Sequence, residues 1–172
     1  SKNMAWKFEA PGPGSSSPIV VGDKVLFTCW SGYGDKEGAR DMSRLQRHLI
    51  CLKLADGSRD WEAIVASSAQ EDPYEGFLAE HGYATHTPVS DGENVYVFFG
   101  KSGAYAFALA TGEQVWHTPL GAGPGSRRWG SGGSPILVED RLIVNATDEC
   151  KALVALDKKT GKELWRAGGD VI

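Results

Sequence analysis

Leu156-Asp-Lys-Lys-Thr-Gly161-Lys-Glu-Leu-Trp165 has two counterparts upstream: Phe107-Ala-Leu-Ala-Thr-Gly112-Glu-Gln-Val-Trp116 and Leu52-Lys-Leu-Ala-Asp-Gly57-Ser-Arg-Asp-Trp61. Gly stands four positions before Trp each time. Met4-Ala-Trp6-Lys-Phe8 reads as the tail of an earlier copy, so successive tryptophans lie 55, 55 and 49 positions apart. A fixed period of this length marks a repeat architecture, and the repeat decides the fold before any single element does.

Each copy has an upstream half. Ser17-Pro-Ile-Val-Val-Gly22-Asp matches Thr87-Pro-Val-Ser-Asp-Gly92 and Ser134-Pro-Ile-Leu-Val-Glu-Asp140. β-rich runs follow at Lys24–Trp30, Asn94–Phe99 and Arg141–Thr147. One unit therefore reads as four short strands, A to D. Gly-Asp or Asp-Gly turns join A to B, and C and D are joined where Gly supplies a positive φ. Four antiparallel strands per repeat predict an all-β chain, a β-propeller of four-stranded blades. The expected boundaries are an outer strand of a preceding blade at 1–10, then blades at 15–66, 84–119 and 132–168. The tryptophans at 6, 61, 116 and 165 are expected to be structural. A blade cannot bury both faces alone, and a large flat ring on strand D can wedge against its neighbour.

These motifs resemble the tryptophan-docking motif of pyrroloquinoline-quinone (PQQ)-like propeller repeats. Repeat three carries it most fully in Ala155, Asp157, Thr160, Gly161 and Trp165; repeat two keeps Ala108, Thr111, Gly112 and Trp116; repeat one keeps Gly57 and Trp61. The family includes quinoprotein dehydrogenases and non-catalytic propellers such as the lipoprotein scaffold of the outer-membrane β-barrel assembly machinery. The resemblance implies a bacterial, exported or periplasmic protein. Three full blades plus one strand fall short of the four to eight blades of a closed ring. The expectation is thus part of a 6–8-bladed ring, completed by further blades of a longer chain or by a second copy.

Composition sets limits. The chain has 172 residues, 22 of them Gly and 6 Trp, with 41% hydrophobic residues and a net charge of −4. That balance disfavours a broad nucleic-acid-binding surface. No stretch approaches the roughly 18 apolar residues of a membrane helix. Ser1-Lys-Asn-Met-Ala-Trp6 has no apolar signal-peptide core. Cys29, Cys51 and Cys150 have no zinc-ligand spacing and read as small half-buried side chains.

In an up-and-down blade the B–C and D–A connections share one end, and here all the length variation falls in them: about 31–47, 66–83 and 120–132. Long loops gathered on one face of a rigid scaffold are where binding is expected. The candidate partner-face residues are Tyr33, Arg44, His81, Tyr83, His86, Arg127, Arg128, Trp129, Asp148 and Glu149. His81 and His86, with Glu80 or Asp148, are weak metal candidates beside the plainer reading that they bond loop backbone. Arg127-Arg128-Trp129 suits a carboxylate or phosphate clamp with a stacking ring, or simple loop anchoring. Arg40, Arg44 and Arg47 read as the wet face of a short helix. The leading functional expectation is a non-catalytic scaffold binding a protein, peptide or glycan partner, with no cofactor. The alternatives are a PQQ- and calcium-dependent alcohol or sugar dehydrogenase and, more weakly, a metal-assisted hydrolase at His81 and His86. No nucleophile with an evident partner stands out in the sequence.

Overall fold

The computed structural model describes residues 2–34, 41–74, 83–123 and 131–168. Its strands form three antiparallel four-stranded sheets, each in sequential order. The first is β1 (Ile19–Val21), β2 (Lys24–Ser31), β3 (Gln46–Lys53) and β4 (Arg59–Ala66). The second is β5 (Val89–Ser90), β6 (Asn94–Phe98), β7 (Ala104–Ala108) and β8 (Gln114–Thr118). The third is β9 (Ile136–Val138), β10 (Arg141–Ala146), β11 (Ala152–Asp157) and β12 (Glu163–Gly168). A one-turn helix, α1 (Thr147–Cys150), joins β10 to β11, and 3-10 turns occupy Met42–Arg44 and Gly100–Ser102. These sheets are propeller blades. Residues 4–10 lie outside regular secondary structure. Among the described residues, no helix is long and apolar enough to cross a membrane.

The Gly–Trp spacing has a double meaning that appears only between blades. Gly57, Gly112 and Gly161 hold φ of 70°, 74° and 70°, as their turns require. Each is also the floor of a seat for the preceding tryptophan. A Cβ at Gly57 would lie 2.4 Å from Trp6, at Gly112 2.6 Å from Trp61, and at Gly161 2.6 Å from Trp116. Each indole N–H donates to a carbonyl in the same turn: Trp6 to Leu54, Trp61 to Leu109 and Trp116 to Lys158, all at 2.9 Å. Within its own blade each Trp faces a small residue on strand C, with Trp61 opposite Cys51, Trp116 opposite Ala106 and Trp165 opposite Ala155. A register shift follows at that point in every blade. The bulge re-aims the ring out of its own sheet and toward the next.

The Ser/Thr-Pro motif is the inner counterpart. The Ser17 amide donates to the Thr87 hydroxyl at 3.0 Å, and the Thr87 amide donates to Ser134 Oγ at 2.9 Å. One hydroxyl per blade therefore passes a hydrogen bond from blade to blade around the inner strands.

Apolar clusters fill the two inter-blade layers. Leu26, Leu49, Cys51, Ala63 and Val65 meet Val95, Val97, Phe99, Tyr105 and Phe107. Tyr96, Phe98, Ala104, Ala106 and Trp116 meet Leu142, Val144, Ala146, Ala152 and Val154. Both outermost faces keep exposed apolar groups: Val20 (60%) and Ile64 (54%) on blade one, and Ile136 (55%), Leu153 (39%) and Trp165 (41%) on blade three. Cys29, Cys51 and Cys150 are free thiols, and burial pushes Cys29 and Cys51 up to about 11.

Candidate functional site

The B–C and D–A connections meet at one end of the blades. The Ser67 amide donates to Leu45 O at 3.1 Å and its hydroxyl to Met42 O at 2.8 Å, tying the first D–A loop to the first B–C loop. The Gly123 amide donates to Glu149 O at 2.9 Å, tying the second D–A loop to α1. Lys101 reaches Asp72 at 2.8 Å across blades one and two.

Beneath this face lies a buried charged network centred on Arg47, whose side chain is 2% exposed. Its Nε donates to Tyr83 O at 2.9 Å, one terminal nitrogen donates to Ser102 Oγ at 3.1 Å, and the other meets Glu71 Oε2 at 2.8 Å. Glu71 Oε1 accepts from Ser102 Oγ at 3.0 Å and from the Ser68 amide at 3.3 Å. All these groups are satisfied, which is what a buried ion pair needs in order not to be a net cost. The expected wet helix of Arg40, Arg44 and Arg47 is therefore corrected for the described residues. Only the 3-10 turn Met42–Arg44 forms, Arg44 is exposed on it, and Arg47 is a strand residue. Its parity on β3 matches Leu49 and Cys51, which point into the inter-blade core. That alternation was the available signal.

Tyr33 (3% exposed) and Tyr83 (2%) sit in an aromatic cluster with Trp30 and Tyr74. Tyr83 is its centre, edge-on to Trp30 at 5.1 Å and to Tyr33 at 5.8 Å, and tilted against Tyr74 at 5.0 Å. Its hydroxyl donates to Asp72 O at 2.7 Å and accepts from the Tyr74 amide at 2.8 Å. Burial pushes both phenols, Tyr74 and Tyr83, well above their usual value.

A second buried polar group joins blades two and three. Ser131 Oγ donates to Glu149 Oε1 at 2.7 Å and lies 3.2 Å from His86 Nε2. The His86 ring lies tilted against Phe98, with centroids 4.8 Å apart. Burial, with the Arg47 charge nearby, pushes His86 down to about 4, so the ring is neutral at neutral pH. Burial raises the Glu149 carboxyl to about 7 despite the Ser131 bond, and the Asp148 and Glu71 charges add to the rise. Because the unfolded chain ionises near 4.3, the folded chain holds an extra proton between about pH 4.5 and 7. Stability is therefore expected to fall as pH rises through that window. Glu149→Gln keeps an acceptor for Ser131 and should flatten the slope, read as urea midpoints at pH 5 and pH 8 for the two proteins.

Asp148 is partly exposed beside Glu149 on α1. His81, Arg127, Arg128 and Trp129 lie outside the described residues, as do Arg40 and Glu80. Among the described residues, no three His, Cys, Asp or Glu side chains group as a cation site. The sequence has no adjacent cysteines. The described residues thus assemble no donor set fitted to a calcium-bound quinone.

The family model described as "Outer membrane protein assembly factor BamB" matches residues 3–167. The chain is 26% identical to a polyvinylalcohol dehydrogenase of a Pseudomonas species over 180 aligned positions, covering 95% of this chain and 24% of the relative. It is 28% identical to the outer membrane protein assembly factor BamB of Alkalilimnicola ehrlichii over 155 positions, covering 89% of this chain and 32% of the relative. Its fold superposes on crystalline BamB from Moraxella catarrhalis with a TM-score of 0.60 at 15% identity, covering 95% of this chain and 39% of that one. The chain thus spans about a quarter of the length of the first of these curated relatives and about a third of the second.

Proposed function

The chain belongs to the family of outer membrane protein assembly factor BamB, and from that premise we propose that it is part of a periplasmic β-propeller scaffold holding protein partners on its loop-bearing face. The family match over residues 3–167 carries this reading. The face supports it physically. Buried networks around Arg47 and Glu149 anchor the described ends of these connections, which lowers the ordering cost at binding. Its exposed rim mixes signs, with Arg44 and Asp148 among the accessible groups, which suits partner selection more than capture of a polyanion.

Further blades should flank this segment on both sides, covering Val20 and Ile64 at one end and Ile136, Leu153 and Trp165 at the other. A fourth blade is favoured over a second copy as the seat for Trp165. In a second copy the Gly57 seat is already filled by that copy's own Trp6.

The test is deletion of the gene in its host, with complementation. Loss of folded outer-membrane β-barrel proteins, seen by heat-modifiable gel mobility and restored by the gene, is the expected result. Unchanged barrel levels, with dye-linked alcohol or polyvinyl alcohol oxidation by the PQQ- and calcium-loaded product, would replace the scaffold reading by the dehydrogenase one. The 26% relative keeps that second reading in view.

A further inference from the structure

Among its described residues, the loop-bearing end buries two carboxyl groups around one guanidinium. Arg47 and Glu71 pair with each other at 2.8 Å. Glu149 is 4% exposed, and none of the described cations pairs with it. Arg47 already donates to Tyr83 O, Ser102 Oγ and Glu71, and Lys101, beside Gly100, pairs with Asp72. The charges that act on Glu149 are Asp148 on its own turn and Glu71 from the first D–A connection, both of its own sign. His86, reached through Ser131, is neutral, and the Cys150 thiol beside Glu149 is raised by burial. One oxygen of Glu149 accepts from Ser131, and the other, Oε2, is buried with no partner among the described residues. A neutral carboxyl fits such a place. A carboxylate there keeps one neutral donor and two like charges, and burial without a counter-ion drives it toward water.

Three segments converge on this residue. The Gly100–Ser102 turn of blade two closes on the carboxyl, where a Cβ at Gly100 would lie 3.2 Å from Oε1. Ser131 holds the side chain, and the Glu149 carbonyl accepts from the Gly123 amide at 2.9 Å. A Cβ at Gly121 would stand 2.4 Å from the same carbonyl oxygen, so the second D–A connection lies flush against α1. The element that carries Glu149 holds itself weakly. α1 has four residues, its N-cap Ala146 makes no side-chain hydrogen bond, and it ends at Lys151 in the left-handed region at φ 55°. A single uncapped turn is a segment that opens locally while the surrounding sheets stay formed.

We propose that α1 is a proton-controlled brace for the loop-bearing end. With Glu149 protonated, α1 sits against the Gly100–Ser102 turn and holds Gly123 and Ser131. On ionisation the carboxylate turns to water, α1 leaves the turn, and Gly121–Gly123 lose their anchor. Seating weakens as pH climbs, because the carboxyl is raised to about 7 when seated and returns toward about 4.3 when α1 opens to water. Acid therefore orders this end and mild base loosens it. Under the scaffold reading the ordered form holds a partner at the lower ordering cost; that consequence rests on the scaffold reading, and the brace itself does not.

The test is amide hydrogen exchange by NMR on the full-length gene product at pH 5 and pH 8, each rate divided by the intrinsic rate at that pH. The Gly123 amide reads the brace. The Leu142 amide, in the middle of the third sheet and fully buried, reads global unfolding. Gly123 protection is expected to fall about tenfold or more from pH 5 to pH 8, and to lie about tenfold or more below that of Leu142 at both. Glu149→Gln cannot ionise, so its Gly123 protection should stay within about twofold between the two pH values. In the native chain the side-chain carboxyl carbon of Glu149 should titrate over the range in which Gly123 protection is lost, a readout that needs no variant to fold. Equal Gly123 protection at pH 5 and pH 8 overturns the proposal. So does an equal fall in Glu149→Gln, which places the proton on another group, or common exchange of Gly123 and Leu142, which means that α1 is released only when the whole chain unfolds. Each of these results leaves the scaffold reading untouched, since that reading is scored on barrel assembly.

Discussion

Replacing Arg47 with alanine is expected to cost about 3–5 kcal/mol of stability, the loss typical of breaking a buried ion pair from one side. The magnitude follows from what is left behind. Glu71 would keep its hydrogen bonds from Ser102 and Ser68 but lose its counter-ion, and its side chain is only 3% exposed. The Tyr83 carbonyl would lose its 2.9 Å donor. Arg47→Lys should recover only part of the loss, because an ammonium cannot present three donors in the fork that reaches Tyr83, Ser102 and Glu71 together. Arg47→Met combined with Glu71→Leu should lie closer to the parent than Arg47→Ala does, because no charge is left buried alone. Urea unfolding of the four proteins measures all three differences. A loss under about 1 kcal/mol for Arg47→Ala would mean that water reaches Glu71.

Trp116→Ala is expected to cost a similar amount, about 3–5 kcal/mol, the usual range for deleting a buried large aromatic side chain. Trp116 is 7% exposed, lies over Gly161, donates to Lys158 O and adjoins Tyr96 with ring centroids 6.0 Å apart. Trp165→Ala in the same chain is the control. Its ring is 41% exposed, so its removal should change stability by less than about 1 kcal/mol. Gly161→Ala approaches the same seat from below. A methyl group there meets the Trp116 ring at 2.6 Å and sits at φ 70°, so it should unseat the ring and destabilise nearly as much as losing the indole. Combined, the two changes should be markedly less than additive, because they destroy one contact. Additive losses in the double variant would contradict the seat.

The fold was legible because its signal is local and repeated. Gly57 and Trp61 fall within a five-residue window, and the period then fixes the blades. Which tryptophan meets which glycine was not legible. Trp61 sits on Gly112, not on Gly57, and that contact spans 51 positions between blades. The same reason hid the polar networks. His48 and Glu62 meet only in the particular β3–β4 register that sets Ile64 against His48. Arg47 was misplaced because a run of three arginines suggested helical spacing. Strand alternation won, and the cost of burying its charge is offset by Glu71 from a loop 24 residues away. That the B–C and D–A connections share an end follows from parity, since antiparallel pairing alone decides which connections share a side.

The most direct measurement places a photo-crosslinking amino acid at single sites of the full-length protein in its host envelope. Arg44 and Asp148 probe the loop-bearing face, and Glu113 and Lys162 the opposite turns. The scaffold reading expects adducts with subunits of the outer-membrane assembly machinery from Arg44 and Asp148 and none from Glu113 and Lys162. Adducts from the opposite turns alone, or from neither face while the protein is folded and exported, would contradict it.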